Sequence, residues 1–512
     1  MTRISLLAGA FALALLASPS TAQVRVDPAV SGLPGAVAPA SGDIVDIRQG
    51  GQRKAATVAQ LQGLQDPPAG FRWDFAAHPL NVFRSPNGRY YTDLDPRSVT
   101  SIAPIFSRAN QSSGSTQIVY ADAAAADNTA AGTSATTPKQ GIRQALAVCE
   151  ANTAASYCLG YVKAGDYDRT RDFNGTSGAA SYITKPTALV CYGGPCIISP
   201  TQKGLTWTAN GSAWQAARSA TGHVLNEVAN DSFGDRNDFA VQASVAAVQA
   251  CTNQDCMFTD GTTLTIKRAD GAQPTDANTR VLLNSDAMNL GPNAVSFYAS
   301  GFTVLGGITA TLADTQALRA KDVVIQDSYF AYPSGAAKNV VAIDNLIGLV
   351  AFFRVTADKG SADAFNVHAN SAATATDWLL VDSFASDLGR AGSASNNCVT
   401  GHEGGLNDVR ARIIVLGGGC KASSGSSVRP IGGSQIWLAG YTIDTDLGDI
   451  QFGGNVPSSC LHANDVAAIW AQDVRCLRSL NSAIVGSTAS IYVRRLDDGG
   501  GQRSGAGAVQ GF

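Results

Sequence analysis

Two stretches of the sequence, LVAFFRVTAD (349–358) and WLLVDSFASD (378–387), contain the pattern that decides the fold. Each begins with a run of apolar residues and continues into Thr, Ser and Asp. Similar stretches begin at 323, 410, 435, 467 and 490. Short strands that recur at a period of about 20–50 residues predict a solenoid, in which each repeat stacks on the next.

The segments between these strands consist mainly of Gly, Ser, Asn, Asp and Ala, and none has the periodicity of a helix. Asn and Ser side chains can hydrogen-bond a turning backbone, so they suit the sharp corners of stacked coils. Strands without crossover helices between them predict an all-β parallel β-helix. A β-sandwich is the alternative fold, but it would show turn signals about every 8–12 residues, and these are rarer here than the longer repeat.

The charge balance excludes one class of partner. The chain has 37 Lys and Arg residues against 40 Asp and Glu residues, a net charge of −3, and it contains no long basic run. Proteins that bind nucleic acid present clustered positive charge to the phosphates. We therefore expect no nucleic-acid partner.

Residues 1–22 have the composition of a secretory signal peptide. Arg3 precedes an apolar run over 4–17, and the small residue Ala22 precedes the expected cleavage position. The apolar run is shorter than the about 20 residues that a membrane-spanning helix requires. We therefore expect a secreted protein, extracellular or periplasmic, with no membrane span.

The ten cysteines fit export, because disulfides form in oxidising compartments. They fall into near neighbours along the chain, although spacing alone does not fix their connectivity. A zinc site is the weaker alternative, because no histidine stands at the spacing that would complete four ligands. The expected bridges are Cys149–Cys158, Cys191–Cys196, Cys251–Cys256, Cys398–Cys420 and Cys460–Cys476.

Residues 23–117 form the predicted N-terminal region. A leader rich in Pro, Gly and Ala (23–41) precedes GDIVDIRQGGQRKAATVAQLQGL (42–64), where apolar residues alternate around a QGG turn and a short helix is expected from Thr57 onward. This segment resembles the small strand-turn-helix unit near the front of many phage tail fibres and tailspikes.

Residues 118–147 read as a strand, a polar loop that contains DNTAAGTSATTP (127–138), and a helix through Ile142 to Val148. They resemble the first segment of many secreted right-handed parallel β-helix proteins, in which the helix caps the first coil. Such a cap has a physical purpose, because an exposed coil end offers unpaired backbone groups to other chains. The resemblance implies a right-handed parallel β-helix over 118–512 with an N-terminal capping helix.

Two segments, SADAFNVHAN (361–370) and NNCVTGHEGG (396–405), each place a histidine near a carboxylate in a chain with only five histidines. Equivalent positions one coil apart in a β-helix are about 4.8 Å apart, so His368 and His402 should meet on adjacent coils. The step from one histidine to the other is longer than the step between the strand starts at 349 and 378, so one coil should carry a bulge or loop.

The cluster provides eight predicted site residues. Those predicted to be catalytic are Asp363, His368, His402 and Glu403, and those predicted to bind substrate are Asn366, Asn397, Lys359 and Arg390. A glycoside hydrolase needs two carboxyl groups at roughly 5–9.5 Å separation, which Asp363 and Glu403 could supply. An eliminating lyase needs a base for the proton alpha to a uronate carboxylate and a positive group for the enolate, so a histidine with Lys359 or Arg390 would serve.

Three short motifs in this order, SADAF, NNC and GHEGG, resemble the paired aspartate segments and the G-H-G of the polygalacturonase family. Asp363 would match the first aspartate and His402 the histidine, but Asn396 and Asn397 stand where that family has acids. DAFNVHA (363–369) resembles the Asp/His segment of β-helix uronate epimerases. Together these resemblances imply the pectin-lyase-like superfamily and favour elimination over hydrolysis.

The predicted function is that of a polysaccharide lyase acting on an acidic extracellular or capsular polysaccharide. A glycoside hydrolase that uses Asp363 and Glu403 is the first alternative, and a non-catalytic carbohydrate-binding or adhesive β-helix is the second. Histidines and acids at coil corners can also serve only as turn hydrogen-bonding groups. No cofactor is expected, calcium is left open, and so is association into a homotrimer.

Overall fold

The structure, a computed structural model, describes the residues 24–26, 44–49, 52–57, 64–85, 87–94, 115–168, 172–173, 182–218, 221–231, 234–291, 293–314, 321–334, 338–369, 375–388, 396–403, 410–423, 425–444, 459–479 and 481–512. Strands dominate these residues, and two helices occur among them. The predicted signal peptide lies outside the described residues.

The N-terminal region contains two small antiparallel sheets. Its strands are β1 (Val24–Val26), β2 (Ile44–Gln49), β3 (Gln52–Thr57), β4 (Leu64–Gln65), β5 (Val82–Arg84) and β6 (Tyr90–Thr92). β2 pairs with β3 on either side of the QGG segment, as predicted. β1 pairs with β2 from within the predicted leader, so the leader is not wholly irregular, which fits the β propensity of valine. The helix expected after Thr57 falls on 58–63, outside the described residues.

The coil region begins with three strands and a helix. These are β7 (Ser115–Ala121), α1 (Ile142–Ala151), β8 (Ala155–Tyr167) and β9 (Thr187–Ile198). β7 pairs in parallel with β8, and β8 with β9. α1 buries Ile142, Leu146 and Cys149 in the main core of the coils.

An insertion, mostly antiparallel, follows β9. Its elements are β10 (Thr201–Gln202), β11 (Thr208–Asn210), β12 (Ala213–Ala217), β13 (Thr221–Asn230), β14 (Arg236–Asp238), β15 (Ala240–Val241), α2 (Val245–Ala250), β16 (Cys256–Thr259), β17 (Thr263–Lys267) and β18 (Thr279–Leu283). They form two sheets, β10-β18-β13-β14 and β11-β12-β17-β16-β15, with a shared apolar cluster that includes Val224, Leu264 and Val281. The unit predicted over 118–512 therefore contains an insertion, which the repeat analysis missed because the recurrent strands begin only after residue 290.

The remaining strands stack coil upon coil. They are β19 (Met288–Asn289), β20 (Phe297–Ser300), β21 (Phe302–Leu305), β22 (Ala310–Asp314), β23 (Val323–Gln326), β24 (Tyr329–Ala331), β25 (Asn339–Ile343), β26 (Leu349–Phe353), β27 (Thr356–Asp358), β28 (Phe365–Ala369), β29 (Thr376–Val381), β30 (Phe384–Leu388), β31 (Val399–Glu403), β32 (Ala411–Leu416), β33 (Gly419–Ser423), β34 (Ser426–Pro430), β35 (Gln435–Ala439), β36 (Thr442–Asp444), β37 (Ser459–Ala463), β38 (Ala468–Leu477), β39 (Asn481–Val485), β40 (Ser490–Asp497), β41 (Gln502–Gly505) and β42 (Ala508–Gly511).

Three parallel sheets result from this stacking. Sheet 1 continues β7-β8-β9 with β20-β23-β26-β29-β32-β35-β38-β40-β42. Sheet 2 has the order β9-β21-β24-β27-β30-β33-β36-β38, and the long strands β9 and β38 belong to both sheets. Sheet 3 has the order β19-β22-β25-β28-β31-β34-β37-β39-β41. The repeat predicted from the apolar stretches is confirmed, and the arrangement fits a parallel β-helix.

Five of the seven stretches that the sequence suggested as single strands are two strands with a bend between them, and the last two, β38 and β40, are single strands that contain a left-handed residue. In the two quoted stretches, the bend residues are Arg354 (φ 54°), between β26 and β27, and Asp382 (φ 48°), between β29 and β30. In β38 and in the β35–β36 connection, the bend residues are Asp473 (φ 52°) and Gly440 (φ 71°). Asp and Gly tolerate this left-handed conformation better than most residues, so the coil turns its corner from sheet 1 to sheet 2 within one residue at these positions.

Both faces of sheet 1 are apolar. Its inward side chains, such as Phe352 and Trp378, pack with centroids 5.3 Å apart in the main core. Its outward side chains, such as Trp437 and Trp470, are covered by the N-terminal segment 71–90. Strands buried on both faces give nearly continuous apolar runs, which is the pattern the sequence shows.

All five expected disulfides are present, and none of the described cysteines is free. Five disulfides indicate a secreted or extracellular protein. Within the described residues, no helix has both the length and the apolar character needed to cross a membrane.

Candidate functional site

The outer face of sheet 3 carries the two histidines that the sequence singled out. His368 in β28 lies directly opposite His402 in β31, and their rings stack with centroids 4.4 Å apart and an interplanar angle of 16°. Phe365 and Val367 of β28 belong to the core, so strand alternation turns His368 to the opposite face. The prediction that these histidines meet on adjacent coils is confirmed.

The extra length between the two histidines lies in a corner and not in a strand. The step along the chain from Thr356 to its partner Phe384 in sheet 2 is shorter than the step from His368 to its partner His402 in sheet 3. The difference falls between β30 and β31, in a stretch that includes 389–395, outside the described residues. The expected irregularity is therefore a longer connection, and the strand pairing at the histidines stays in register.

Asp363 anchors the cluster from the corner that precedes β28. Its Oδ1 accepts hydrogen bonds from the backbone N and the Nδ2 of Asn397, at 2.7 and 2.9 Å, and its Oδ2 accepts one from the Nδ2 of Asn366 at 2.7 Å. Oδ2 also lies 3.7 Å from the Nε2 of His402. The side chain of Asp363 is 7% exposed and that of His402 is 30% exposed, so a buried carboxylate supports a histidine that solvent can reach.

The position of Asn397 is fixed by covalent and backbone contacts. The next residue, Cys398, forms a disulfide with Cys420, which ties the beginning of β31 to β33. The backbone carbonyl of Asn397 accepts a hydrogen bond from the N–H of Ala364. Asn397 therefore presents its backbone and side-chain N–H donors to Asp363 from a rigid corner.

Asp344 belongs to the same cluster and was not among the predicted residues. It follows β25, one coil before His368, and its Oδ1 accepts the backbone N–H of His368 at 3.0 Å. Ala342 pairs with Asn366, so Asp344 and His368 occupy equivalent positions further along the two coils. The available signal was the AIDN segment (342–345), but the register of sheet 3 was unknown from sequence.

The environment shifts two of these groups in opposite directions. Burial and, to a smaller extent, the nearby charge of His402 lower the pKa of His368 from 6.5 to about 4, although Asp363 offsets part of their effect. Burial also raises the pKa of Asp344 from 3.8 to about 7, against the effect of the His368 backbone donor. Near neutral pH the cluster therefore holds a neutral His368 beside a carboxyl group that is partly protonated.

The other predicted residues lie in three different situations. The buried Lys359 occupies a left-handed corner (φ 56°), and its ammonium forms ion pairs with Asp231 of the insertion and Asp387 of the next coil, so these carboxylates and not the histidines are its partners. The backbone of Glu403 lies in β31 opposite Ala369. The predicted binding residue Arg390 lies outside the described residues.

The described ranges contain no group of three or more His, Cys, Asp or Glu side chains placed to hold a metal ion. The acidic segment 444–449 lies outside these ranges apart from its first residue, Asp444.

Three solved structures are similar to this chain at low TM-scores. A complex of XylC with xylose is 9% identical, covers 74% of this chain and 70% of its own, and has a TM-score of 0.31. A glycoside hydrolase is 9% identical, with coverages of 78% and 97% and a TM-score of 0.33. The tailspike protein gp49 from Pseudomonas phage LKA1 is 12% identical, with coverages of 69% and 64% and a TM-score of 0.19. No family model and no curated protein matches the sequence.

Proposed function

We propose that the protein is a secreted enzyme that cleaves a polysaccharide at the cluster of Asp363, His368 and His402. The observation that carries the proposal is the stacked histidine pair, with the buried carboxylate of Asp363 held 3.7 Å from His402 by three N–H donors. A residue that serves only in a turn has no need of a second histidine stacked upon it in register. Paired acid and base groups on an accessible face are what glycosidic bond cleavage requires.

A polymer fits this face better than a small molecule does. The outer face of sheet 3 runs along the stack, and an extended chain of sugars would pass from one coil to the next at about 4.8 Å per coil. Asn366 Oδ1 and Thr400 Oγ1 are buried on neighbouring coils with no hydrogen-bond partner among the described residues. Because an unmade hydrogen bond of a buried group is costly, an ordered water beneath the face is the natural partner of these atoms.

Elimination is the route that we favour. His402, supported by Asp363, would remove the proton alpha to a uronate carboxylate, and His368 stays neutral because its pKa is about 4. A neutral neighbour leaves His402 free to take up a proton without repulsion between two imidazolium rings. Asn397 and Asn366 would position the substrate through Asp363. Arg390 remains the proposed cation, and Glu403 remains the proposed further acid.

Hydrolysis is the second candidate, because a specific contact favours it. Three N–H donors hold both carboxyl oxygens of Asp363 in place, which orients the group to activate a water molecule or to attack the sugar carbon. A second carboxyl group would then protonate the leaving oxygen. The two routes use the same cluster and differ in their products.

The finer features of the architecture also belong to this proposal. We infer a right-handed coil of the pectin-lyase-like kind, in which α1 covers the first coil, because the buried face of α1 packs into the main core beside β7 and β8. A strand-turn unit near the front, at β2 and β3, supports a tailspike-like attachment region, and a homotrimer is the assembly to test by light scattering.

The experiment is a panel of acidic and neutral polysaccharides incubated with the purified protein. Absorbance near 235 nm reports the unsaturated product of elimination, and reducing ends report any cleavage. Both signals together support elimination, whereas reducing ends without absorbance favour hydrolysis. Neither signal across a broad panel, together with retention on a polysaccharide column, would favour the adhesive protein.

Three variants test the site itself on any polysaccharide that the wild type cleaves. Asp363→Asn and His402→Ala should each lose activity by about 100-fold or more, because each removes part of the acid–base pair. His223→Ala is the matched control and should keep the activity: this histidine also lies beside a carboxylate, with its Nδ1 2.9 Å from Asp238, but it belongs to β13 of the insertion. Unchanged activity in both site variants would refute the assignment.

A further inference from the structure

Asp344 is held in the cluster by hydrogen bonds to the coils on either side of it. Its carboxylate Oδ1 accepts the N–H of His368 across the coils, and its own backbone N–H donates to the carbonyl of Asp314 in the previous coil. It stands in the same outward column as His368 and His402, at a half-buried position. An apolar side chain at this position would leave the N–H of His368 without this acceptor, whereas an amide would keep an acceptor but could not supply a proton as an acid does.

The charged groups that face Asp344 come from both neighbouring coils. On the previous coil, Asp314 repels its negative form, although Asp314 is itself paired with Lys321 at 2.6 Å. On the following coils, the N–H of His368 and the charge of His402 favour the negative form. Burial outweighs these contacts and keeps the pKa of Asp344 near 7, so the group can both give and recover a proton at neutral pH.

Both candidate routes need a proton donor for the leaving group in addition to the base, and Asp344 and Glu403 are the carboxyl groups that could supply it. In elimination and in hydrolysis alike the scissile C–O bond breaks, and the departing alkoxide needs a proton. His402 and Asp363 are committed to the base side of the reaction. We infer that Asp344 is the general acid that protonates the leaving glycosidic oxygen, an inference that rests on the proposed function and applies to both of its routes.

The proton balance closes for each route. In elimination, the base takes the alpha proton, the electron pair forms the double bond, the C–O bond breaks, and the proton of Asp344 goes to the leaving oxygen. In hydrolysis, Asp344 makes the same donation while water adds to the sugar carbon and gives its proton to Asp363. In both routes, the base then releases its proton to solvent, and Asp344 takes up a proton from solvent.

The test compares Asp344→Asn with the wild type on the cleaved polysaccharide and on an oligosaccharide analogue that carries fluoride at the scissile position. Fluoride leaves with little need of a proton. We expect a loss of about 100-fold or more in kcat/KM on the polysaccharide and of less than about 10-fold on the fluoride analogue. We also expect the decline of kcat/KM of the wild type above pH 7 to be absent in the variant.

A conservative variant guards against a folding defect. Asp344→Glu keeps a carboxyl group, so it should retain part of the activity and an alkaline decline at a shifted pH. An equal loss on the polysaccharide and on the fluoride analogue would reduce Asp344 to a structural residue. An alkaline decline that stays in place in both variants would assign the titration to another group and overturn the inference.

Failure of this inference can be told apart from failure of the proposed function. If Asp363→Asn and His402→Ala lose activity on both substrates while Asp344→Asn keeps it, the site stands and the role of Asp344 is wrong. If all three variants keep wild-type activity, the site itself is wrong.

Discussion

Two outer faces of the same coils, that of sheet 1 and that of sheet 3, have opposite characters. On sheet 1 the outward side chains are apolar, and Phe71 of the N-terminal segment packs edge-on against Trp437 and Trp470 at centroid distances of 6.0 and 5.6 Å. On sheet 3 the outward side chains include His368 and His402, and no described residue of the N-terminal segment belongs to that cluster. One face is buried under the N-terminal segment, and the other carries the side chains that we propose to be catalytic.

The difference shows how a solenoid separates stability from function. The inward side chains of every sheet fill one core, which is separate from the outward positions. Outward positions on sheet 1 add a second layer of apolar burial, and those on sheet 3 tolerate groups whose burial is costly. We therefore expect substitutions on sheet 1 to change the free energy of unfolding and those on sheet 3 to change catalysis.

The largest effect is expected on sheet 3, in activity. Asp363→Asn should lower the initial rate of polysaccharide cleavage by about 10²–10⁴-fold, because the catalytic base His402 loses its supporting carboxylate. The free energy of unfolding should fall by only about 1 kcal/mol, since the new amide would face the Nδ2 of Asn366 in place of one hydrogen bond. A large loss of stability with intact activity in the folded fraction would contradict the separation of the two faces.

The next largest effect is expected on sheet 1, in stability. Trp437→Ala removes a fully buried ring beneath Phe71 and should lower the free energy of unfolding by about 3–5 kcal/mol, as measured by urea denaturation. Tyr492→Ala, at the partly exposed margin of the same cluster, serves as the comparison and should cost clearly less. The rate of cleavage at a temperature where both variants are folded should stay near that of the wild type.

A smaller effect is expected in the pH dependence of stability on sheet 3. The pKa of His368 is lowered from 6.5 to about 4. As the pH falls from 6.5 to 4, the unfolded chain therefore takes up this proton before the folded chain does, and stability is lost. The pKa of Asp344 is raised from 3.8 to about 7. As the pH rises from 3.8 to 7, the unfolded chain therefore releases this proton before the folded chain does, and stability is lost. In the wild type, these two contributions to the slope of the free energy of unfolding against pH have opposite signs.

Single substitutions should expose each slope. Between pH 4 and 6.5, Asp344→Asn should become more stable as pH rises, and His368→Gln should become less stable, each by at most about 1.4 kcal/mol per pH unit. Thermal unfolding at several pH values provides the measurement. The same slope in both variants would mean that these groups do not titrate as their surroundings require.

The smallest effect is expected at the rim of the N-terminal segment. Arg89 forms an ion pair with the bend residue Asp382, and its side chain is 52% exposed. Exposed ion pairs contribute little, so Arg89→Ala should change the free energy of unfolding by about 0.2–1 kcal/mol. A loss as large as that of Trp437→Ala would show that charge, and not apolar burial, holds the segment to sheet 1.

The repeat could be predicted from sequence because sheet 1 is apolar on both faces. Stretches such as 349–358 stand out for that reason. The strands of sheet 3 give a weaker signal, because apolar and polar residues alternate in them and their apolar runs are short. The bends were not predicted, because a single Arg354 or Asp382 within a strand pattern gives no clear signal of a left-handed residue. The insertion was missed because its strands follow no repeat.

The histidine pair could be predicted because one coil makes distant residues neighbours. Asp344 could not be predicted, because its position depends on the register of sheet 3. Fewer residues separate paired positions of β25 and β28 than separate paired positions of β28 and β31. Lys359 was expected beside the substrate, but its left-handed corner and the carboxylates of Asp231 and Asp387 determine where its ammonium lies. Long-range ion pairs of this kind leave no local signal in sequence.

The most direct test of the central claim is the structure of the His402→Ala variant with an oligosaccharide of the polysaccharide that the wild type cleaves. We predict electron density for sugars along the outer face of sheet 3, with a glycosidic oxygen between the carboxyl groups of Asp344 and Asp363. Density for the sugars on the insertion or over sheet 1, with this face empty, would contradict the claim.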